Sequence, residues 1–265
     1  MGSQAADAAQ DMSDHRWVER LARVGYAASG LIHIVIGWIA AQVALGSGGE
    51  ADQGGALGSL RSAPGGPVLL WLCVAGFAAL ALWHVLEAIA HAGELKDRVK
   101  EAAQAGVYGV LAVTAFGFAN GGSGGSSGEQ RADDLTAALM GMPFGRVLVA
   151  VVGVVVLVVG GYHIYKGVSE KFLEDLRSTG GGTSGKGVRW AGRLGYPAKG
   201  LALIVVGLLF VAAAWQADPQ EAGGLDAALK TLSEQPFGTA LLLVVALGLV
   251  LYGIYSFARA RYARM

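Results

Sequence analysis

Cysteine is almost missing from this chain of 265 residues; Cys73 stands alone. One thiol allows no intramolecular disulfide and no cysteine-based metal site. Charge is scarce as well: 15% of residues are charged, against about 25% in soluble domains. The 20 Lys and Arg balance the 20 Asp and Glu, so the basic footprint of a nucleic-acid binder is absent. No glycine-rich phosphate loop ending in Lys-Ser/Thr occurs, which removes ATP-driven transport within the chain. No nucleophile elbow occurs either. The polar segments are too short to form a catalytic domain, so the expected protein is not an enzyme.

What fills the space is apolar residue, 54% of the chain. Six runs are long enough, or nearly so, to cross a bilayer: 22–45, 67–90, 102–119, 145–165, 196–216 and 239–258. Residues 1–20 are polar and read as a disordered tail. The first run has counterparts deep in the chain, where no signal peptide can sit, so it is expected to be retained. Placing the N-terminus inside puts 16 of the 20 Lys and Arg on inner segments; only Arg61, Arg131, Arg146 and Lys230 fall outside, among nine acids. The positive-inside rule then predicts a cytoplasmic-membrane protein with both termini cytoplasmic.

The runs are not independent. Leu31, Leu111 and Leu201 align, as do Gly37, Gly117 and Gly207. Arg23, Gly25, Tyr26 and Gly30 correspond to Arg193, Gly195, Tyr196 and Gly200, whereas the second copy is degenerate, with Ala105 and Gly106 in that corner. Returning runs begin at Pro64–Gly65–Gly66, Pro143–Phe144–Gly145 and Pro236–Phe237–Gly238, and each later carries an aromatic residue: Trp83, Tyr162 or Tyr255. A unit recurring at this scale is one supersecondary element used repeatedly. The expected fold is therefore all-α and integral to the membrane. Its six transmembrane helices form three parallel-oriented two-helix repeats with pseudo-three-fold symmetry along the membrane normal. The repeats are expected over 21–92, 100–170 and 189–262, with a cytoplasmic linker over 171–188. Apolar spacing in Ala56–Leu60, Asp134–Met142 and Leu225–Leu232 predicts short amphipathic helices on the outer surface. Gly121–Gly128 reads as a flexible linker, and Glu94–Glu101 as a mixed-charge connector.

The Pro-Phe-Gly corner, the Gly-Tyr…Gly-Leu start of the outgoing helices and the three tandem units resemble the bacterial membrane family called domain of unknown function 1206. The resemblance covers roughly residues 16–262, with Gly65 departing from the Phe of the other corners. It implies a bacterial inner-membrane protein and carries no activity with it.

Positions shared by all units are explained by the fold. Small residues at Gly37, Gly117, Gly207, Ala81, Gly160 and Gly253 are read as helix-packing seams, since helices in lipid associate through close backbone approach. Polar residues that break the repeat deserve a functional hypothesis. His33 faces Val113 and Leu203 in the alignment; His84 matches His163 but Ser256; Glu87 matches Lys166 and Arg259. The candidate intramembrane polar site is accordingly His33, His84, Glu87 and His163. Four roles are open for it: hydrogen-bonded helix glue, a proton or substrate path, haem b held by His33 with His84 or His163, and a divalent metal near His84, Glu87 and His91. No cofactor is expected on balance. Lys166 and Arg259 are expected to snorkel toward headgroups, as is Glu87, and Trp83, Tyr162, Tyr165, Tyr252 and Tyr255 to form an interfacial belt. Partners are the bilayer and either a copy of the chain or another membrane protein. A structural or accessory scaffold leads. A channel or carrier along the pseudo-three-fold axis and a haem-binding electron carrier are the alternatives.

Overall fold

The computed structural model describes residues 16–90, 95–121 and 128–264. Six helices are long and apolar enough to cross a membrane: α1 (Arg16–Ala44), α3 (Gly66–Ala90), α4 (Leu95–Ala119), α6 (Gly145–Val168), α7 (Gly182–Gln216) and α9 (Gly238–Tyr262). Three short helices, α2 (Gln53–Ser62), α5 (Gly128–Met140) and α8 (Leu225–Ser233), lie within the repeats at one end of the bundle, here the cap face. The opposite end, where α1 begins and α9 stops, is the basic face. Of the tail expected over 1–20, residues 16–20 open α1, and the rest lies outside the described residues. So do His91 and the middle of the Gly121–Gly128 linker.

Two helices run further than the apolar runs predict. Residues 95–101, read as a connector, form the first turns of α4. They contain strong helix formers and no Gly or Pro, so the backbone has no reason to stop. Helix α7 starts at Gly182 and continues through Pro197. That proline has no N–H to offer the carbonyl four residues earlier, and its ring packs where a β-carbon on Gly167 of α6 would lie 2.4 Å from Pro197 Cδ.

The Pro-X-Gly corners share one backbone solution. The middle residue is left-handed in each, with φ of 77° at Gly65, 63° at Phe144 and 62° at Phe237. Glycine takes that conformation freely, which accounts for Gly65; the two phenylalanines hold it under strain. The third residue must be glycine for a different reason. A β-carbon on Gly66, Gly145 or Gly238 would lie 2.1, 1.9 or 1.9 Å from the carbonyl oxygen of Leu60, Leu139 or Ser233.

Helix packing follows a cycle that the linear repeat conceals. Each returning helix packs on the outgoing helix of the next repeat: α3 on α4, α6 on α7, and α9 back on α1. The caps follow the same rule, with α2 against α4, α5 against the turn that follows α7, and α8 against α1. Within repeats, α1 packs on α3 and α7 on α9. The second repeat differs: among the described residues α4 and α6 make at most a marginal contact.

Glycines explain the difference. In repeat one, a β-carbon on Gly25 would lie 2.3 Å from the Gly76 carbonyl oxygen. In repeat three, one on Gly195 would lie 2.5 Å from the Tyr252 nitrogen, and one on Gly248 would lie 2.1 Å from Ala198 Cβ. The second repeat places Ala105 and Val155 at the two corresponding positions. Their added carbons deny the hairpin the approach its siblings use.

The core is apolar through the cap half. Ile32, Ile36, Phe77, Phe118, Val245 and Leu249 form one buried cluster, continued by Leu57 and Leu60 of α2 and by Leu229 and Leu232 of α8.

Candidate functional site

The seams come first, because they set which side chains meet. Gly30 and Gly253 interlock reciprocally: a β-carbon on either would lie 2.8 or 2.6 Å from the other's carbonyl oxygen. Gly160 and Gly200 do the same at 2.8 and 2.6 Å, and Gly37 and Gly207 press on Ala246 and Gly153 at 2.7 and 2.9 Å. Gly117 is a correction, because a β-carbon there would meet nothing within 4 Å. The α3–α4 pair, which carries Gly117 and the half-buried Ala81, is held by aromatic contacts. Trp71 meets Phe116 edge-on, and Tyr108 stacks on both Phe77 and His84.

These pairings send the three histidines to three different tyrosines. His33 Nδ1 lies 2.7 Å from the Ser29 carbonyl oxygen, and its ring lies 4.7 Å from that of Tyr252. His163 repeats the pattern, with Nδ1 2.8 Å from the Val159 carbonyl and its ring 5.7 Å from Tyr196. His84 is built differently. Its Nδ1 lies 2.6 Å from Glu101 Oε2, its ring stacks on Tyr108 at 5.4 Å, and its Nε2 is buried with no hydrogen-bond partner among the described residues. Lys100 holds the other Glu101 oxygen at 3.2 Å. Among the described residues, no three His, Cys, Asp or Glu side chains converge as metal ligands, and no two histidine rings face each other.

Glu87 is half-buried on α3, and its repeat counterparts do not simply snorkel. Lys166 Nζ pairs with Asp175 Oδ2 at 2.7 Å in the short turn after α6, and Tyr196 donates to the same oxygen at 3.4 Å. Arg259 lies 4.1 Å over the Tyr26 ring and donates to the Tyr26 hydroxyl at 3.0 Å, while its Nε is buried without an acceptor. Lys199, a base that repeat comparison left unremarked, lies 4.2 Å over Tyr252. The interfacial-belt expectation also changes: Tyr162 and Tyr165 are half exposed, but Tyr252 and Tyr255 are buried with Phe172 and Tyr196. Tyr255 donates to the Phe172 carbonyl at 2.6 Å.

Two features were missed from sequence, the His84–Glu101 pair and the Lys199–Tyr252 contact. The first crosses between repeats, and the second joins α7 to α9 within the third repeat. A cross-repeat rule would have found the first, since Arg23 already reaches the α9 terminus through the Ala260 carbonyl at 3.2 Å, and its counterpart Arg193 reaches Glu170 behind α6 at 3.9 Å.

Comparison with known proteins agrees with this architecture. The model of the family described as Domain of Unknown Function (DUF1206) matches three times in tandem, over residues 24–91, 99–170 and 194–263. A Bacillus subtilis (strain 168) protein described as uncharacterized protein YxxB is 31% identical over 257 residues, spanning 94% of this chain and 92% of that one. No solved structure matches. With three matched units and a relative aligned along almost its whole length, this chain, a multi-span membrane protein, belongs to the DUF1206 family.

Proposed function

We propose that the protein is a non-enzymatic structural or accessory element of the cytoplasmic membrane. Its three parallel repeats are arranged about a pseudo-three-fold axis along the membrane normal, and both termini are cytoplasmic. The observation that carries this reading is the continuous apolar cluster through the cap half of the bundle, from Phe77 and Ile36 to Leu57 and Leu229. A conducting path would need polar or hydrated lining there. The polar side chains nearer the basic face are largely spent on partners within the protein, as helix glue requires.

The test is thiol labelling in a Cys73→Ala background. Ile36→Cys should stay unreactive to a hydrophilic thiol reagent in membranes; ready labelling would replace the scaffold with a transport path. The same background reads orientation. A membrane-impermeant reagent applied to intact cells should label Gly48→Cys on the cap face and spare Lys186→Cys on the basic face.

A further inference from the structure

Every span carries one exposed aromatic ring near its cap end. The six are Trp38, Trp71, Phe116, Phe144, Trp215 and Phe237, on α1, α3, α4, α6, α7 and α9 in turn. Each lies within six residues, about 9 Å of helix rise, of the end of its helix. Among the described residues, the central third of each span exposes no aromatic ring; aliphatic side chains such as Val158 and Leu247 face outward there instead.

Two of the six hold an unfavourable backbone. Phe144 and Phe237 sit at φ of 63° and 62°, yet they are 83% and 89% exposed. Their rings pack little within the chain, and Gly65 shows that the same corner forms without a side chain. An outlier kept without internal contacts points to a role outside the molecule. Trp215, 86% exposed, reaches the same level from α7. Arg146, two residues past Phe144, donates to the carbonyls of Ala214 and Trp215 at 3.2 and 3.1 Å.

The opposite ends of the spans set the scale. Phe144 and the half-exposed Tyr165 are 21 residues apart along α6, about 32 Å. Phe237 and Phe257 are 20 apart along α9, about 30 Å. On the longer α7, Trp190 and Trp215 are 25 apart, about 38 Å. Bilayer hydrocarbon is about 30 Å thick, and about 40–45 Å with its headgroup layers. The intervals fall between these limits, in the interfacial layers where aromatic rings collect. The cap helices do not compete for lipid, because Leu57, Leu60, Leu229 and Leu232 turn into the bundle.

We propose that Phe144, Trp215 and Phe237 dock the cap face into the interfacial layer of the phospholipid leaflet there, between acyl chains and headgroups, with the cap helices held in water above it. The phenylalanine of the Pro-Phe-Gly corner is thereby a lipid contact and not a folding element. The docking surface is the same whether the bundle is a scaffold or conducts.

The experiment is spin labelling of the full chain in a Cys73→Ala background, reconstituted in phosphatidylcholine vesicles. Phe144→Cys, Trp215→Cys and Phe237→Cys each carry a nitroxide. Its collisions with oxygen, which concentrates in lipid, and with a water-soluble nickel chelate give its depth. Val244→Cys, exposed seven residues along α9, marks the hydrocarbon, and Gly48→Cys marks water. The three sites should agree within one helix turn, about 5.4 Å, and lie about 10 Å shallower than Val244→Cys. Nickel access equal to that of Gly48→Cys overturns the anchor, as does oxygen access equal to that of Val244→Cys. Shielding from both reagents overturns it too, since a protein surface then covers the rings. Tryptophan quenching of the wild-type chain needs no substitution. Phosphatidylcholine brominated near the glycerol should quench more than phosphatidylcholine brominated at the chain ends, and the reverse order overturns the proposal.

Discussion

Gly25 and Gly76 approach so closely that a β-carbon on Gly25 would lie 2.3 Å from the Gly76 carbonyl oxygen. Neither backbone can retreat, because both belong to long helices that pack along much of their length. Gly25→Ala should therefore pry α1 from α3 and cost about 1–3 kcal/mol, the usual range for overpacking. Ala105→Gly, at the matching place in the open second hairpin, should change stability by no more than the helix propensity of glycine, about 1 kcal/mol. Paired thermal unfolding curves in one detergent would compare the two, and equal losses would contradict the glycine explanation of the open hairpin.

His84 and Glu101 join α3 to α4 where no glycine seam exists. Glu101→Leu should leave both imidazole nitrogens of His84 unpaired and cost about 1–3 kcal/mol. His84→Leu with Glu101→Leu should recover part of that loss, because two apolar side chains leave no orphaned polar group. A double-mutant cycle measures the coupling. Strict additivity would mean that the pair contributes nothing to holding α4.

At the cap face, the buried Asp226 carboxylate accepts from the Ala51 nitrogen at 2.7 Å and pairs with Lys230 at 2.6 Å. It ties the first repeat's loop to the third repeat's cap helix. Asp226→Ala should strand the Ala51 N–H and cost about 1–3 kcal/mol, whereas Asp226→Asn keeps an acceptor and should cost less. Hydrogen exchange at Ala51 would report the loss locally, and unchanged exchange in Asp226→Ala would remove the staple from this account.

The third corner offers a test with opposite signs. Gly238→Ala would put a carbon 1.9 Å from the Ser233 carbonyl oxygen and should abolish well-folded protein. Phe237→Gly relieves a left-handed residue and should stabilise by about 1 kcal/mol. Folded yield and the unfolding midpoint read both. A Phe237→Gly protein less stable than wild type would mean that the exposed ring contributes more than its backbone strain costs.

Much of this fold is legible in the sequence, since apolar runs, Pro-X-Gly corners and recurring glycines act locally. Six helices and three units follow from them. The site was harder to read, for a geometric reason. Comparing repeats aligns Gly37 with Gly117 and Gly207, but the contacts run from one repeat to the next. Gly117 looks like its counterparts and yet touches nothing. Glu101 lies in a stretch that reads as a connector, though it is the partner of His84. Lys199 aligns with Ser29 and Gly109 and has no counterpart of its chemistry, so only its position over Tyr252 reveals it. The degeneracy at Ala105 was visible from the start; its meaning required knowing that the matching glycine faces Gly76.

The packing of α9 on α1 has a consequence for synthesis. Of the six spans described, α1 is made before the others and presents Gly30 and Gly37 on a face whose partner, α9, is made after them. Until Ala246 and Gly253 have left the ribosome, that face has only lipid against it, and the cycle of repeats stays unclosed. Every chain cut short before α9 therefore displays the same unmatched glycine surface, a mark by which incomplete molecules differ from finished ones.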